Sequence, residues 1–167
     1  GASLAGIHYI RTIKDALALK ADLKPGARLV VIGGGFIGLE AAAAAVKLGC
    51  KATVLEAQTE LLSRVMDPLM GRWFENLHRA NGVEILKGVA VERLDGQDRV
   101  SGVVLGSGDR IDADVVVIGI GIVPNMELAA QAGLAVGNGI TADEYGRTSD
   151  PEIFAAGDVA FHFNPVL

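Results

Sequence analysis

A run of glycines directly after an apolar segment is the strongest constraint that this sequence places on its fold. Residues 28–49 read RLVVIGGGFIGLEAAAAAVKLG. The segment RLVVI is apolar on both faces, which predicts a buried strand of a parallel sheet. Residues 36–48 then predict an α-helix that ends at Gly49. The sequence thus indicates a strand, a tight turn and a helix, with the smallest side chains at the turn.

The glycines of this turn have the spacing Gly33-x-Gly35-x-x-Gly38. Between a strand and a helix, this is the pattern of a dinucleotide-binding turn. Gly33 permits the tight turn, Gly35 lets a pyrophosphate approach the backbone, and Gly38 lets the helix lie close to the strand. The free N–H groups and the dipole at the helix N-terminus attract phosphates. The alternative is a glycine-rich turn that binds nothing.

The segment TVLEA predicts a second strand, and this strand ends in a carboxylate, Glu56. An acid about 20 residues after the glycines accepts hydrogen bonds from the adenosine ribose and disfavours the 2′-phosphate of NADP. No Lys or Arg follows at once, and Arg64 is the next cation along the chain. The pattern therefore predicts NAD(H) rather than NADP(H). Two alternatives stay open: Glu56 as a solvated strand end, and Arg64 as a surface residue.

Two further features adjoin these predicted contacts. Glu40 falls in the predicted first turn of the helix, where the helix dipole favours an acid. It either serves that purpose alone or faces the nicotinamide end and binds its carboxamide. The segment VIGIGIVPN carries Gly119 and Gly121 at the end of a buried strand. Because parallel sheets bind ligands beyond the carboxyl ends of their strands, this loop either covers the nicotinamide half or is an ordinary turn.

The remaining pattern completes an α/β plan. Residues near 6–22 predict an amphipathic helix. Asp67-Pro68 predicts the start of another helix, in which Trp73 belongs to the core. Further along the chain, the sequence predicts a third strand at 83–88, an antiparallel meander at 89–111, a buried parallel strand at 114–121, a short helix at 125–132, and short strands at 139–141 and 152–158. This order predicts a Rossmann-like domain with a central parallel sheet, helices and an antiparallel β-meander crossover.

Composition excludes several classes of function. The net charge of −5 argues against a nucleic-acid partner, and no apolar run approaches the ~18 residues that a membrane span needs. One cysteine, Cys50, cannot form an internal disulfide, and with no recognisable targeting segment it predicts a cytoplasmic location. Three scattered histidines and one cysteine offer no metal-ligand spacing, so we predict no metal site.

Three separated motifs together resemble one family. They are VVIGGGFIGLEAAAAAVKLGCKATVLEA, VVVIGIGIVPNMELAAQAGL and DEYGRTSDPEIFAAGDVA. In this order they resemble the flavin-dependent pyridine nucleotide–disulfide oxidoreductase superfamily. The branch that they resemble most is that of the NADH-dependent ferredoxin, rubredoxin and putidaredoxin reductases. The resemblance runs from about residue 4 to residue 162 and implies a Rossmann-like FAD/NAD(P)-binding fold.

The resemblance also implies an activity. In such enzymes NADH passes hydride to FAD, which gives single electrons to an iron–sulfur carrier of the ferredoxin or rubredoxin type. No residue of this chain would then act as a nucleophile or a general acid, because hydride transfer is cofactor chemistry. The chain would divide into an N-terminal helix and connector at 1–27, an NAD-binding domain at 28–145, and a segment at 146–167 that returns toward an FAD domain.

Individual site residues follow from the same resemblance. The implied NAD contacts are Gly33, Gly35, Phe36, Ile37, Gly38, Glu40, Glu56, Gln58, Arg64, Gly119, Ile120 and Gly121. Asp158, in the segment AAGD, falls where the family uses an acid on the ribityl chain of FAD.

The chain departs from the family pattern in one respect. The family uses a second G-x-G-x-x-G for the ADP half of FAD, whereas this sequence has one. We therefore expect the isolated chain to hold FAD poorly and to be inactive, with FAD bound by the full-length protein. The alternatives are another flavoprotein disulfide reductase or NADH oxidase of the superfamily, and a non-catalytic NAD-sensing module.

Overall fold

A computed structural model describes residues 4–163, which form two compact units that divide between Gly121 and Ile122. The first unit contains a five-stranded sheet in the order β1-β8-β2-β3-β4, with every neighbouring pair parallel. Its strands are β1 (Ile7–His8), β2 (Arg28–Ile32), β3 (Lys51–Glu56), β4 (Val83–Lys87) and β8 (Val115–Ile118). Its helices are α1 (Ile13–Asp22), α2 (Phe36–Lys47) and α3 (Pro68–Ala80).

The predicted meander is present as a separate antiparallel sheet. It comprises β5 (Val91–Gly96), β6 (Val100–Leu105) and β7 (Arg110–Asp112), in the order β5-β6-β7. The chain passes from β4 through this sheet before it returns to the parallel sheet as β8. The fold class predicted from the sequence, with its central parallel sheet and antiparallel meander, is thereby confirmed.

Alternate residues of the central strands face two different layers. Val31 and Val54 belong to a buried cluster with residues of the helices, such as Ala42 of α2. Val30 belongs to a second cluster with the meander, for example with Val103 of β6. Since both faces of the sheet are covered, its central strands carry apolar residues on both faces, as parallel strands generally do.

The N-terminal region differs from its prediction as one helix. Ile7–His8 form the edge strand β1, in which Ile7 pairs with Val116 of β8. The helix begins only at Ile13, because Thr12 and Asp15 form a capping box in which each side chain accepts from the other residue's backbone N–H.

The prediction that Trp73 belongs to the core is wrong. The Trp73 side chain is 55 % exposed, and Leu69 and Leu77 on the same helix face are exposed with it. The packed face of α3 instead carries Gly71, which is buried, and Phe74, which packs against the core. The helix start is as predicted, since Asp67 caps α3 through the N–H groups of its first turn.

The second unit contains little regular structure. It has α4 (Glu127–Gln131), a 3₁₀ turn at Gly157–Val159, and two short parallel strands, β9 (Ile140–Thr141) and β10 (Ala160–Phe161). The predicted strand at 152–158 is wrong, because Gly157 has a positive φ of 76° and the strand begins only after this turn. No helix in residues 4–163 combines the length and the apolar composition that crossing a membrane requires.

An ion pair joins the start of β2 to the residue before β8. Arg28 donates to both carboxylate oxygens of Asp114, from Nε over 3.0 Å and from Nη2 over 2.7 Å. The backbone N–H of Arg28 donates to the same carboxylate. These hydrogen bonds from Arg28 lower the pKa of Asp114 from 3.8 to about 2.

Asp114→Asn is expected to lower the free energy of unfolding by about 1 kcal/mol at pH 7, a modest figure because solvent screens this partly exposed pair. The folded-state pKa lies below the unfolded one, so the carboxylate stabilises the fold above pH 3.8 and loses this effect as the pH falls toward 2. Urea unfolding at pH 7, 4 and 2 should show the difference between the two proteins shrinking. Asp109→Asn is the matched control, because Asp109 accepts a hydrogen bond from the uncharged hydroxyl of Ser107, which an asparagine oxygen can also accept. A constant difference in the free energy of unfolding at all three pH values would contradict the lowered pKa of Asp114.

Candidate functional site

Two chain reversals meet at the carboxyl ends of β2 and β8. Gly33 follows β2 with a φ of 108°, a backbone conformation that favours glycine. A Cβ placed on Gly33 would overlap the carbonyl oxygen of Gly119, which follows β8. The N–H of Gly119 in turn donates to the carbonyl of Ile32 over 2.8 Å. The reversals after the two strands therefore touch through backbone alone.

The N-terminus of α2 opens onto free space beside these reversals. Gly35 is its N-cap residue and provides no side-chain hydrogen bond, and the first turn carries no acid. Within residues 4–163, and apart from Gly35 and its chain neighbours, no atom lies within 4 Å of where a Cβ on Gly35 would be. The first N–H groups of a helix have no partner within the helix. An anionic group can therefore approach the backbone here and be held by N–H groups and the helix dipole.

The carboxylate of Glu56 lies next to this opening, at the end of β3. Its Oε2 accepts from the backbone N–H of Gly34 over 2.6 Å, and its Oε1 accepts from that of Gln58 over 2.8 Å. A carboxylate oxygen has two lone pairs. Each oxygen can therefore accept a second hydrogen bond from a ligand hydroxyl while the first one holds the carboxylate in place.

Most of the other predicted site residues surround the same edge of the sheet. Phe36 and Ile37 are exposed at the first turn of α2, and Ile120 is exposed beyond β8. The guanidinium of Arg64 reaches Gly121, with Nη1 only 3.4 Å from where a Cβ on that glycine would lie. The structure thus brings the loop that carries Arg64 to the loop after β8.

Glu40 does not lie where the sequence predicts it. It is the fifth residue of α2 and is exposed, and the first turn of the helix contains no acid. The interpretation of Glu40 as an acid of the first turn is therefore wrong, because α2 begins at Phe36 and its first turn is complete before Glu40. Its predicted contact with the nicotinamide remains a prediction.

Asp158 belongs to the second unit. It is an exposed residue of the 3₁₀ turn at Gly157–Val159. An exposed carboxylate on a short turn is compatible with the contact to a hydroxyl-bearing chain that the resemblance implies. The contact itself remains a prediction.

The structure adds residues that sequence reasoning missed. Gly34, the free position of the glycine motif, donates to the Glu56 carboxylate and accepts from the N–H of Leu62. An open cavity of about 340 Å³ lies beyond β4, lined by Gly88, Val89, Ala90, Leu105, Gly106 and Ser107. It adjoins the end of β3, since the N–H of Val89 donates to the carbonyl of Glu56. The middle glycine of the GGG run is a readable signal for Gly34, whereas the cavity depends on pairing between distant segments.

The described residues offer neither a metal centre nor an activated thiol. Within residues 4–163 no group of three His, Cys, Asp or Glu side chains is placed to hold a metal ion. Cys50 is buried, and burial raises the pKa of its thiol. A raised pKa leaves the thiol protonated and a poor nucleophile.

Comparison with known proteins identifies the family. The model of the family described as pyridine nucleotide-disulphide oxidoreductase matches residues 1–166. The ferredoxin–NAD(+) reductase component of the anthranilate 1,2-dioxygenase system of Burkholderia cepacia is 46 % identical over 160 residues, which cover 96 % of this chain and 39 % of that protein. Rhodocoxin reductase of Rhodococcus erythropolis is 48 % identical over 161 residues, covering 96 % of this chain and 38 % of that protein.

A solved structure agrees with these sequence comparisons. The reductase chain in the crystal structure of a covalent putidaredoxin reductase–putidaredoxin complex superposes with a TM-score of 0.91 at 42 % identity, covering 99 % of this chain and 40 % of that chain. The chain thus spans about two-fifths of the length of the relatives it matches. The family match nevertheless extends over nearly all of its residues, and the resemblance indicated by the three motifs is confirmed. The chain therefore belongs to the pyridine nucleotide-disulphide oxidoreductase family.

Proposed function

We propose that this chain binds NADH and is the NAD-binding domain of an FAD-dependent oxidoreductase. The observation that carries the proposal is the open approach to the backbone at Gly35, beside the fixed carboxylate of Glu56. An anion site at a helix N-terminus and a hydroxyl acceptor one strand away match the diphosphate and the adenosine ribose of a dinucleotide. Family membership supports the same reading.

Each part of the dinucleotide has a proposed position. The N–H groups at the start of α2 would hold the pyrophosphate, and Glu56 the adenosine ribose, with Gln58 and Arg64 near it. The adenine ring would enter the cavity beyond β4, because this cavity adjoins the end of β3. Glu40 and the loop of Gly119, Ile120 and Gly121 would enclose the nicotinamide half, together with Phe36 and Ile37.

The chain's own residues contribute position and charge to the reaction. When bound, NADH supplies a hydride to FAD, which then provides single electrons for the carrier. Binding aligns the reacting groups and so lowers the entropic part of the barrier. Within this chain, the glycine loop fixes the phosphates and Glu56 fixes the ribose, so that the nicotinamide end of the ligand has a defined direction.

The full-length protein, we infer, reduces an iron–sulfur carrier of the ferredoxin or rubredoxin type. The supporting observation is that relatives at 46 % and 48 % identity are named ferredoxin–NAD(+) reductase and rhodocoxin reductase. A solved relative is a reductase in complex with putidaredoxin. In this proposal Asp158 contacts the ribityl chain of FAD, residues 28–145 form the NAD-binding domain, and the protein acts in the cytoplasm.

Calorimetric titration should show that NADH binds at least tenfold more tightly than NADPH. Glu56 accepts hydroxyl hydrogen bonds but repels a 2′-phosphate, and charge-assisted hydrogen bonds are worth about 1.5–3 kcal/mol. Glu56→Ala is expected to weaken NADH binding and to reduce the ratio of the two affinities toward one, because it removes both the attraction and the repulsion.

The matched control for this titration is Glu92→Ala, which removes an exposed carboxylate of β5 that pairs with Arg93. It should leave both affinities unchanged. Equal binding of NADH and NADPH by the unaltered chain would refute the role of Glu56. An absence of NADH binding by the folded chain would refute the proposed function itself.

A further inference from the structure

The dinucleotide motif explains three glycines of this turn but not the fourth. Gly34 occupies the free position between Gly33 and Gly35. Its φ is not positive, in contrast to that of Gly33, so its backbone conformation alone does not favour glycine. Its surroundings must therefore account for the absence of a side chain.

The backbone N–H and carbonyl of Gly34 engage the end of β3 and the loop that follows it. Its N–H donates to Glu56 Oε2 over 2.6 Å, and its carbonyl accepts from the N–H of Leu62 over 3.1 Å. A Cβ on Gly34 would lie 2.5 Å from Leu61 Cδ2 and 3.0 Å from Glu56 Oε2. Leu61 is almost completely buried, so its side chain has little room to move.

The loop at 57–66 is held in a conformation that its own sequence does not favour. Leu62 is buried and has a φ of 56°, which costs a residue with a Cβ free energy unless its surroundings enforce it. Its N–H bonds to Gly34, while a Cβ on Gly71 of α3 would lie 2.7 Å from the carbonyl oxygen of Leu61. Gly34 and Gly71 thus allow close approach to Leu61, the first at its side chain and the second at its carbonyl.

This arrangement fixes the backbone of the turn that carries Arg64. Arg64 follows Leu62 by two residues, and the N–H groups of Val65 and Met66 both donate to the carbonyl of Leu62. The turn after Leu62 is therefore closed by hydrogen bonds, and it directs Arg64 toward Gly121. The glycine turn at 33–35, the carboxylate of Glu56 and the backbone turn that carries Arg64 are consequently joined through the backbone of Gly34.

We propose that Gly34 is a positioning residue. Its backbone hydrogen bonds hold the glycine turn at 33–35 against Glu56 and the loop at 57–66, so that the groups that bind the diphosphate and the ribose are in place before the ligand arrives. This inference rests on the proposed function. A site organised in advance avoids ordering its loops on binding. Without these hydrogen bonds of Gly34, the Glu56 carboxylate and the turn that carries Arg64 lose their fixed relation to the helix N-terminus.

Gly34→Ala tests the proposal through two separate readouts. We expect the dissociation constant of NADH, measured by calorimetry, to rise about tenfold, since the Cβ displaces the Glu56 carboxylate and Leu61. We also expect faster hydrogen exchange at the amides of Leu62 and Gln58, measured by NMR without ligand. Gly137→Ala is the matched control, because its Cβ would lie at an ordinary 3.8 Å from Phe161. It should change neither readout.

A second substitution, at Leu61, tests whether overlap with the Leu61 side chain causes the loss of NADH affinity. Leu61→Val removes the Cδ2 atom that a Cβ on Gly34 would meet, so Gly34→Ala combined with Leu61→Val should bind NADH more tightly than Gly34→Ala alone. If Gly34→Ala does not fold, Glu56→Ala provides the exchange readout instead. It should accelerate exchange at Leu62, although the Leu62 amide makes no hydrogen bond to Glu56.

The outcomes separate this inference from the proposed function. If the unaltered chain binds NADH but Gly34→Ala changes neither affinity nor exchange, the positioning role is overturned and the proposed function stands. A change in only one of the two readouts, no recovery in the double variant, or unchanged Leu62 exchange in Glu56→Ala would also overturn it. If the unaltered chain does not take up NADH, the proposed function fails, and the exchange measurement still decides whether Gly34 fastens the two loops.

Discussion

Gly38→Ala is expected to destabilise this chain by about 3 kcal/mol, although alanine normally stabilises a helix relative to glycine by about 1 kcal/mol. A Cβ on Gly38 would overlap the carbonyl oxygen of Gly33 and would lie 2.9 Å from Val31 Cγ1. The first of these atoms belongs to the backbone of the turn and cannot rotate away. Helix α2 would have to separate from β2, and the core between them would open.

Urea unfolding followed by circular dichroism measures this loss of stability. Ala44→Gly provides the control, because Ala44 is exposed on the same helix and its replacement should cost only the propensity difference of about 1 kcal/mol. Val31→Ala added to Gly38→Ala should not restore stability, since it leaves the overlap with the Gly33 carbonyl in place. If the Gly38→Ala chain were as stable as the unaltered one, α2 would not pack against β2 and the Gly33 carbonyl as closely as these distances require.

Local sequence patterns account for the parts of the fold that were predicted correctly. Helix α2 and strands β2 and β3 follow from an apolar run, a glycine turn and a second apolar run, all within 30 consecutive residues. The meander follows from alternating apolar residues and frequent turn residues. These signals are local because each one reflects hydrogen bonding and burial within a single strand, turn or helix.

Features that depend on distant partners were not predicted. Strand β1 has two residues, and its partner Val116 lies far along the chain from Ile7, so no local pattern marks it. The periodicity of α3 indicates an apolar face but not its direction. The buried Gly71 and the ion pair between Glu75 and Lys87 place the opposite face against the domain.

In the candidate site, too, local patterns predict some residues, whereas features that depend on distant partners are not predicted. The glycine spacing and the acid at the end of β3 predict that Gly35 and Glu56 face the same edge of the sheet, and the hydrogen bond from Gly34 to Glu56 is consistent with this. The left-handed conformation of Leu62 could not be predicted, because leucine rarely adopts it and only the contacts around it enforce it.

Gly35→Ala is expected to weaken NADH binding about a hundredfold while the chain keeps its fold. Among the described residues other than Gly35 and its chain neighbours, no atom lies within 4 Å of the Cβ that this substitution adds, and the φ of −82° at Gly35 suits alanine. Alanine is a poorer N-cap than glycine, which costs at most about 1 kcal/mol of stability. The methyl group would, however, occupy the space through which a diphosphate must approach the N–H groups of α2.

Comparing the two glycines separates folding from ligand binding within one turn. Calorimetry with NADH and urea unfolding should both be carried out on Gly35→Ala and Gly38→Ala. The first variant should lose affinity with little change in stability, and the second should lose stability. These opposite results follow from what each Cβ would meet: empty space at Gly35 and the backbone of Gly33 at Gly38. If Gly35→Ala bound NADH as tightly as the unaltered chain, the diphosphate would not lie at the start of α2, and the site proposed here would be wrong.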